Sequence, residues 1–343
     1  MRRTAPRMLL VSVAFLAAAG HRPGRADDAG IPLGPGCELA FASVEEGAAI
    51  LGAEDEFILR TSPFDRQARL RADRPVSREE HRAFAARCVL PWSPEERRRI
   101  SDAVGGLGDR LVELAMPLPA RVVLVKTSGD EEGGAAYTRG GAVMLPSATV
   151  RAGGDRLRRL VCHELFHVVS RHGPILRRSL YAEIGFRPCG DVVLPGDLEE
   201  RRITNPDAPL FDHAIRVRCD GVERDMVPVL FSRVATYDAA AGRPFFDTME
   251  FRLMAVEMSE GRTAVPLLDD GGRPILRSPK EVAGFFEQTG RNTSYLIHPE
   301  EIVADNVALL LRTANAPAPA SPDVIERIGR VLRRSGAGGK EPD

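Results

Sequence analysis

Long apolar runs are almost absent from this chain of 343 residues. The one exception, residues 8–20, follows a basic start and is too short to span a bilayer comfortably. It predicts a secretory signal peptide over residues 1–26, with an uncleaved signal anchor as the alternative. We therefore expect a secreted or periplasmic protein with no stable membrane insertion after signal removal.

Lysine is also scarce, since only Lys126, Lys280 and Lys340 occur among the 47 Lys and Arg residues. Residues 1–26 carry five Arg and no acid, so a chain beginning at Asp27 has 42 basic and 48 acidic residues, a net charge of −6. This balance argues against a nucleic-acid partner. The preference for Arg, Ala, Gly and Pro is typical of bacterial proteins encoded by GC-rich genomes.

Cysteine is limited to five residues. Export would permit disulfide bonds, although connectivity cannot be deduced from sequence. Cys162 lies next to a histidine motif and is expected to be a buried free thiol. Turn signals beside Cys189 and Cys219 favour that pair among the three possible pairings, which leaves Cys37 to pair with Cys88.

Residues 163–167 have the pattern His-Glu-x-x-His. Histidines four positions apart lie one above the other on a helix, so His163 and His167 can both bind one Zn²⁺ ion. Glu164 is then placed to take a proton from metal-activated water. Apolar spacing predicts a helix that begins at an Asp155 cap and ends at Gly173. The alternative is an amphipathic core helix with two satisfied histidines.

A catalytic zinc site needs a third protein ligand. The metzincin pattern requires Gly and His where this chain has Ser170 and Gly173, so that pattern fails. Glu183 is close in sequence but has no carboxylate four positions later. Glu301 does have one, Asp305, on the same face of a helix that Pro299 can begin. The predicted zinc ligands are His163, His167 and Glu301.

The two motifs, HExxH and a later Glu-x-x-x-Asp, resemble those of the gluzincin zinc metallopeptidases, the thermolysin-like group. The resemblance covers the two motif helices and carries over to His163, Glu164, His167, Glu301 and Asp305. It implies one catalytic Zn²⁺, Glu164 as general base and Asp305 as acceptor for the N–H of a ligand histidine. The 134 positions from His167 to Glu301 (301 − 167) imply a large insertion. The segment around Glu301 is similar to a little-characterised secreted bacterial branch of this group.

Peptide hydrolysis also needs a hydrogen-bond donor for the developing oxyanion. Tyr295 is the first candidate and His298 the second, with core packing and a position just before the helix as the alternatives. The resemblance implies that the strand before the metal helix pairs with substrate backbone as an edge strand. Residues 142–145 take that role, and an ordinary sheet strand is the alternative. The predicted substrate-binding residues are Ala142, Val143 and Met144.

The remaining pattern predicts an α+β fold, and the resemblance implies a zincin-like domain over residues 27–312. Capping boxes predict helices over residues 77–88 and 93–116, and residues 44–74 indicate short extended and polar segments. Strands are expected over residues 121–126 and 136–145, with a β-rich insertion over residues 174–293. In that insertion His213 is expected to be a core or surface histidine rather than a ligand. Residues 313–343 predict a linker, an amphipathic helix packed on the domain, and a tail.

Together these features predict a secreted zinc peptidase that acts on a peptide or protein substrate; nothing indicates an oligomeric state. One alternative is a zinc hydrolase of non-peptide amides. Another is a secreted binding or inactive protein with a structural zinc. Glu164 argues against the structural site, which needs no base and closes the fourth coordination position with a protein ligand.

Overall fold

The chain folds into a mixed α and β structure with two separate sheets. The computed structural model describes residues 30–34, 36–242, 245–259, 261–312 and 318–337. The α+β prediction is confirmed at this level. The predicted signal peptide lies outside the described residues. Among the helices that are described, none has the length and apolar character needed to cross a membrane.

The first sheet provides the platform for the HExxH helix. Its strands are β1 (Ile31–Pro32), β2 (Glu38–Phe41), β3 (Arg121–Thr127), β4 (Tyr137–Arg139) and β5 (Ala142–Pro146). Their order is β1-β2-β3-β5-β4, with β2, β3 and β5 parallel and β4 antiparallel at one edge. The single strand predicted over residues 136–145 is wrong. A turn at Gly140, whose φ of 59° favours glycine, divides it into a hairpin.

Six helices connect β2 to β3. They are α1 (Val44–Gly52), α2 (Glu56–Arg60), α3 (Pro63–Leu70), α4 (Arg78–Arg87), α5 (Pro94–Val104) and α6 (Leu107–Glu113). The extended segments predicted over residues 44–74 are wrong, because α1, α2 and α3 occupy them. Each of these three helices has an N-cap residue whose side chain accepts a hydrogen bond from the backbone N–H three positions later. The caps are Ser43, Asp55 and Ser62.

The two capping boxes are confirmed. Ser77 and Ser93 each exchange hydrogen bonds with a glutamate three positions later. The helix predicted over residues 93–116 is nevertheless two helices. Gly106 has a φ of 68°, outside the helical region, and separates α5 from α6.

Three helices follow β5: α7 (Ser147–Ala152), α8 (Gly154–His172) and α9 (Pro174–Ala182). Helix α8 carries the HExxH motif and ends at Gly173 as predicted. Its N-cap is Gly153, so Asp155 lies in the first turn and not at the cap. Cys162 is buried within α8 as a free thiol, as predicted.

The insertion builds the second sheet. Its strands are β6 (Phe186–Pro188), β7 (His213–Cys219), β8 (Val222–Ser232), β9 (Met249–Glu257), β10 (Val265–Pro266) and β11 (Leu276–Arg277). They form the antiparallel order β10-β9-β8-β7-β6, and β11 also pairs with β9. The β-rich prediction is confirmed, although the insertion begins with α9.

The last helices close the core. They are α10 (Phe285–Thr289), α11 (Pro299–Leu310) and α12 (Pro322–Ala337). Helix α11 packs between α8 and α12. Val324, Ile328 and Leu332 on one face of α12 join a hydrophobic cluster that reaches both sheets. The predicted packing of this amphipathic helix on the domain is confirmed.

All five cysteines are free thiols, so both predicted disulfides are wrong. The backbone N–H of Cys189 donates to the carbonyl of Asp212, just before β7, whereas Cys219 is the last residue of β7. At about 3.3 Å per strand residue the two lie roughly 20 Å apart, well beyond the ~7 Å reach of a disulfide. Cys37 and Cys88 are separated in the same way, because they lie beside opposite ends of β3.

Candidate metal centre

The three predicted ligands meet between α8 and α11. Helix α8 presents His163 and His167 on one face, and Glu301 lies in the first turn of α11. Glu301 Oε2 is 3.1 Å from His163 Nε2 and 3.6 Å from His167 Nε2. Ligand atoms of the three residues lie within 4.8 Å of one another. Three donors at this separation can share one cation, because zinc bonds to nitrogen and oxygen are about 2.0–2.2 Å long.

The chemistry of these donors fits zinc. His167 is 1% exposed, and its Nε2 atom has no hydrogen-bond partner. A buried polar atom without a partner is costly, and a cation at this position would satisfy it. Two imidazole nitrogens and one carboxylate form a donor set that zinc prefers in hydrolytic sites.

Asp305 orients the first histidine, as the Glu-x-x-x-Asp spacing predicts. His163 Nδ1 lies 3.2 Å from Asp305 Oδ1, and Thr293 donates its hydroxyl to the other carboxylate oxygen. Burial would raise the pKa of Asp305, but the hydrogen bond from His163 and neighbouring cationic groups lower it. Burial would lower the pKa of His163, but hydrogen bonds with Asp305 and Glu301 outweigh it and raise the pKa to about 9. The ionised Asp305 carboxylate can accept the Nδ1 proton, so a cation that displaced the Nε2 proton would bind on the side of Glu301.

Glu300 belongs to the candidate site and was not predicted from the sequence. Its carboxylate accepts from His167 Nδ1 at 2.8 Å, from Ser170 Oγ at 2.7 Å and from the Tyr181 hydroxyl. Burial would raise the pKa of Glu300, but the hydrogen bonds from His167, Tyr181 and Ser170 lower it. Each ligand histidine therefore has its own orienting carboxylate. The available signal was the position of Glu300 next to Glu301 in the first turn of α11.

Glu164 lies beside the three ligands and is 2% exposed. Its Oε2 atom accepts a hydrogen bond from Thr138 Oγ1 at 3.0 Å. Burial raises the pKa of Glu164, while the nearby imidazoles of His167 and His163 oppose that shift. A carboxyl group with a raised pKa is suited to taking up and releasing a proton near neutral pH.

A cleft of about 440 Å³ opens onto this cluster. His163, Glu164 and Glu301 line it together with Tyr295, which is 41% exposed. Tyr295 therefore lies at the same cleft as the candidate base, as an oxyanion donor requires. Arg156 and Arg159 line another part of the cleft and bring positive charge to it.

A scan against protein-family models finds no match, and searches of curated proteins and of solved structures find none either. The assignment of the site therefore depends on its own residues and their geometry.

His298 and His213 lie away from the cleft. His298 Nδ1 accepts the Glu300 N–H at 3.1 Å and caps α11, which makes it a capping residue rather than an oxyanion donor. His213 is in the core, as predicted, and its Nδ1 atom lies 2.6 Å from Asp212 Oδ1. Burial lowers the pKa of His298 to about 4, so its neutral ring carries the proton on Nε2. That nitrogen then has no lone pair for a metal, although Asp212, His213 and His298 lie close together.

The predicted substrate strand is wrong. Ala142, Val143 and Met144 belong to β5, which is paired with β3 on one side and β4 on the other. Its backbone groups are therefore already used within the sheet. The edge strand nearest the metal centre is β4, and its central residue, Thr138, also contacts Glu164.

Proposed function

We propose that this protein is a zinc-dependent peptidase of gluzincin type with a zincin-like fold. The observation that carries the proposal is the meeting of His163, His167 and Glu301, with Glu164 beside them and with no hydrogen-bond partner for the buried Nε2 atom of His167. A structural site needs no general base, whereas a hydrolytic site requires one beside the metal, and the buried Glu164 carboxylate is placed for that role.

His163, His167 and Glu301 would hold the ion, and Asp305 and Glu300 would keep the two imidazoles in the required tautomer. Zinc bound there would supply Lewis-acid chemistry, polarising an amide carbonyl and acidifying water. Glu164 would accept a proton from the attacking water and transfer it to the leaving amine as the C–N bond breaks. The Tyr295 hydroxyl would donate a hydrogen bond to the oxyanion that forms on the former carbonyl.

The substrate we propose is a peptide or protein encountered outside the cytoplasm. The basis is the signal-like sequence over residues 1–26, with its five Arg and no acidic residue. The carboxylate-rich cleft, with Arg156 and Arg159 on one side, has charged groups of both signs for a polar substrate.

A structural zinc is the second candidate function, and one contact favours it. A carboxylate oxygen of Asp207 lies within 4.8 Å of ligand atoms of His167 and Glu164. A fourth protein ligand is typical of structural zinc sites. Only a comparison of metal content with hydrolysis separates the two candidates.

The test combines zinc content with casein hydrolysis for the parent and three variants. We expect about one zinc in the parent and in Glu164→Gln, with hydrolysis only in the parent. Glu301→Gln should lose zinc, whereas Glu183→Gln, which changes the carboxylate rejected as a ligand, should keep both zinc and activity. A parent that takes up no zinc on reconstitution would refute the proposal. Zinc in the parent without hydrolysis of any peptide would favour the structural site.

A further inference from the structure

The edge of the first sheet beside the metal centre is already occupied by the chain itself. In β4, the Thr138 N–H donates to Asp207 Oδ1 at 2.7 Å, and the Thr138 carbonyl accepts from Arg171 Nη1 at 3.3 Å. Alternate residues of an edge strand point these two groups away from the sheet. They are the groups that an added peptide strand would need.

The segment that covers this edge is residues 205–207 of the insertion. Asn205 Nδ2 donates to Glu301 Oε1 at 2.5 Å, and Asn205 Oδ1 accepts the Asp207 N–H at 3.1 Å. Arg171 Nη2 donates to the carbonyls of Pro206 and Asp207 at 3.2 and 3.3 Å. The segment therefore bridges the edge strand and the third candidate ligand.

The Asp207 side chain also reaches the reaction centre. One of its carboxylate oxygens lies within 4.8 Å of ligand atoms of Glu164 and His167, and Asp207 lines the cleft. A substrate carbonyl approaching Glu164 would have to use this space. The segment thus competes with substrate at two places, the edge strand and the reaction centre.

The chain on either side is anchored independently. Thr204 binds Asp65 through its N–H and the Arg60 carbonyl through its hydroxyl. Phe211 is buried and binds Asp191. Between these anchors, most of residues 205–210 are partly exposed. These anchors are separate from the contacts that the segment makes with Thr138 and Glu301.

We propose that residues 205–207 form an internal plug, which occupies the substrate position and holds the enzyme latent until it is displaced. This inference rests on the proposed peptidase function. Substrate backbone and the Asp207 side chain both require the Thr138 N–H, so binding one excludes the other. If the plugged state predominates by about ten to one, the apparent affinity for substrate is about tenfold weaker than the intrinsic affinity.

The test removes both side-chain contacts with the double variant Asn205→Ala/Asp207→Ala. Peptide binding is measured by fluorescence anisotropy with a labelled casein-derived peptide in the Glu164→Gln background, where no hydrolysis is expected. We expect binding to tighten about tenfold or more while zinc content stays unchanged. Asp197→Ala, which changes an exposed carboxylate elsewhere in the insertion, should leave binding unchanged. The single variants Asn205→Ala and Asp207→Ala should give smaller gains and serve if the double variant does not fold.

Unchanged or weaker peptide binding in a folded, zinc-loaded variant would overturn the plug. Loss of zinc from the variant would also overturn it, because Asn205 and Asp207 would then be supports of the metal site. Hydrolysis by the double variant with Glu164 intact is a separate readout. Tighter peptide binding without any hydrolysis would support the plug while counting against the peptidase.

Discussion

Replacement of Glu300 by glutamine should weaken zinc binding without removing any ligand. The carboxylate accepts three hydrogen bonds, from His167, Ser170 and Tyr181. A glutamine side chain keeps one acceptor oxygen but presents an NH₂ group at the other position. If the oxygen stays on His167 Nδ1, the two hydroxyls face a donor and must turn away from it.

The size of the effect follows from the contacts that are lost. Changes to groups that orient ligand histidines weaken metal affinity by about 10- to 100-fold, or about 1.4–2.7 kcal/mol. Hydrogen bonds to a charged group contribute about 1.5–3 kcal/mol each, so the loss of the charged acceptor should also lower the free energy of unfolding by a similar amount. Glu300 is 2% exposed, so water cannot readily replace it.

Competition with a chromogenic zinc chelator measures the affinity, and circular dichroism confirms that the variant is folded. Glu326→Gln, an exposed change on α12, is the matched control and should bind zinc as the parent does. If folded Glu300→Gln binds zinc as tightly as the parent, then Glu300 does not fix the orientation of His167 and this reasoning is wrong.

Three further outcomes test the packing. Burial, reinforced by nearby arginines, lowers the pKa of His81 to about 3. Between pH 6.5 and that value the unfolded chain takes up a proton that the folded chain excludes, so stability falls as the pH drops, by up to about 1.4 kcal/mol per unit from this group. Denaturant titrations at several pH values give the free energy of unfolding as a function of pH. It should fall less steeply with decreasing pH in His81→Leu than in the parent, and an equal dependence on pH would contradict the low pKa of His81. Gly290 has a φ of 73°, and a Cβ there would lie 2.8 Å from Val324 Cγ2 and 2.9 Å from Ser321 Cβ. Gly290→Ala should therefore lower the melting temperature more than Gly272→Ala, which has the same φ in open space and should cost only about 1–2 kcal/mol of backbone strain. In denaturant all five cysteines should react with a thiol reagent before any reduction. Fewer than five reactive thiols would indicate a disulfide bond and contradict the structure.

Local rules predicted the elements whose ends are set by their own residues. The capping boxes at Ser77 and Ser93 and the first-turn Pro299 are confirmed, because each signal acts within four positions. The short helices that begin at Ser43 and Ser62 have caps of the same kind, but they were not predicted. Their brief apolar segments lack a clear period, and packing against neighbouring helices stabilises them.

The disulfide and edge-strand predictions failed for a different reason. Each required the location of one segment relative to another that is distant in sequence. Cys189 and Cys219 both lie beside turns, but strand register keeps them far apart. Ala142, Val143 and Met144 have the apolar character of a strand residue whether the strand is central or at the edge of a sheet. Only the hairpin at Gly140 places β4, rather than β5, at the edge.

The amino-acid sequence alone determined that His163 and His167 share a helix face, because a four-residue spacing leaves no other arrangement on an α-helix. It also determined that Glu301 and Asp305 face the same side of α11. Only the tertiary structure decided that Asp305 serves His163 while Glu300 serves His167, because the packing of α8 against α11 selects those partners. The position of Asp207 in the cleft was decided in the same way, by the path of a long insertion that no local pattern specifies.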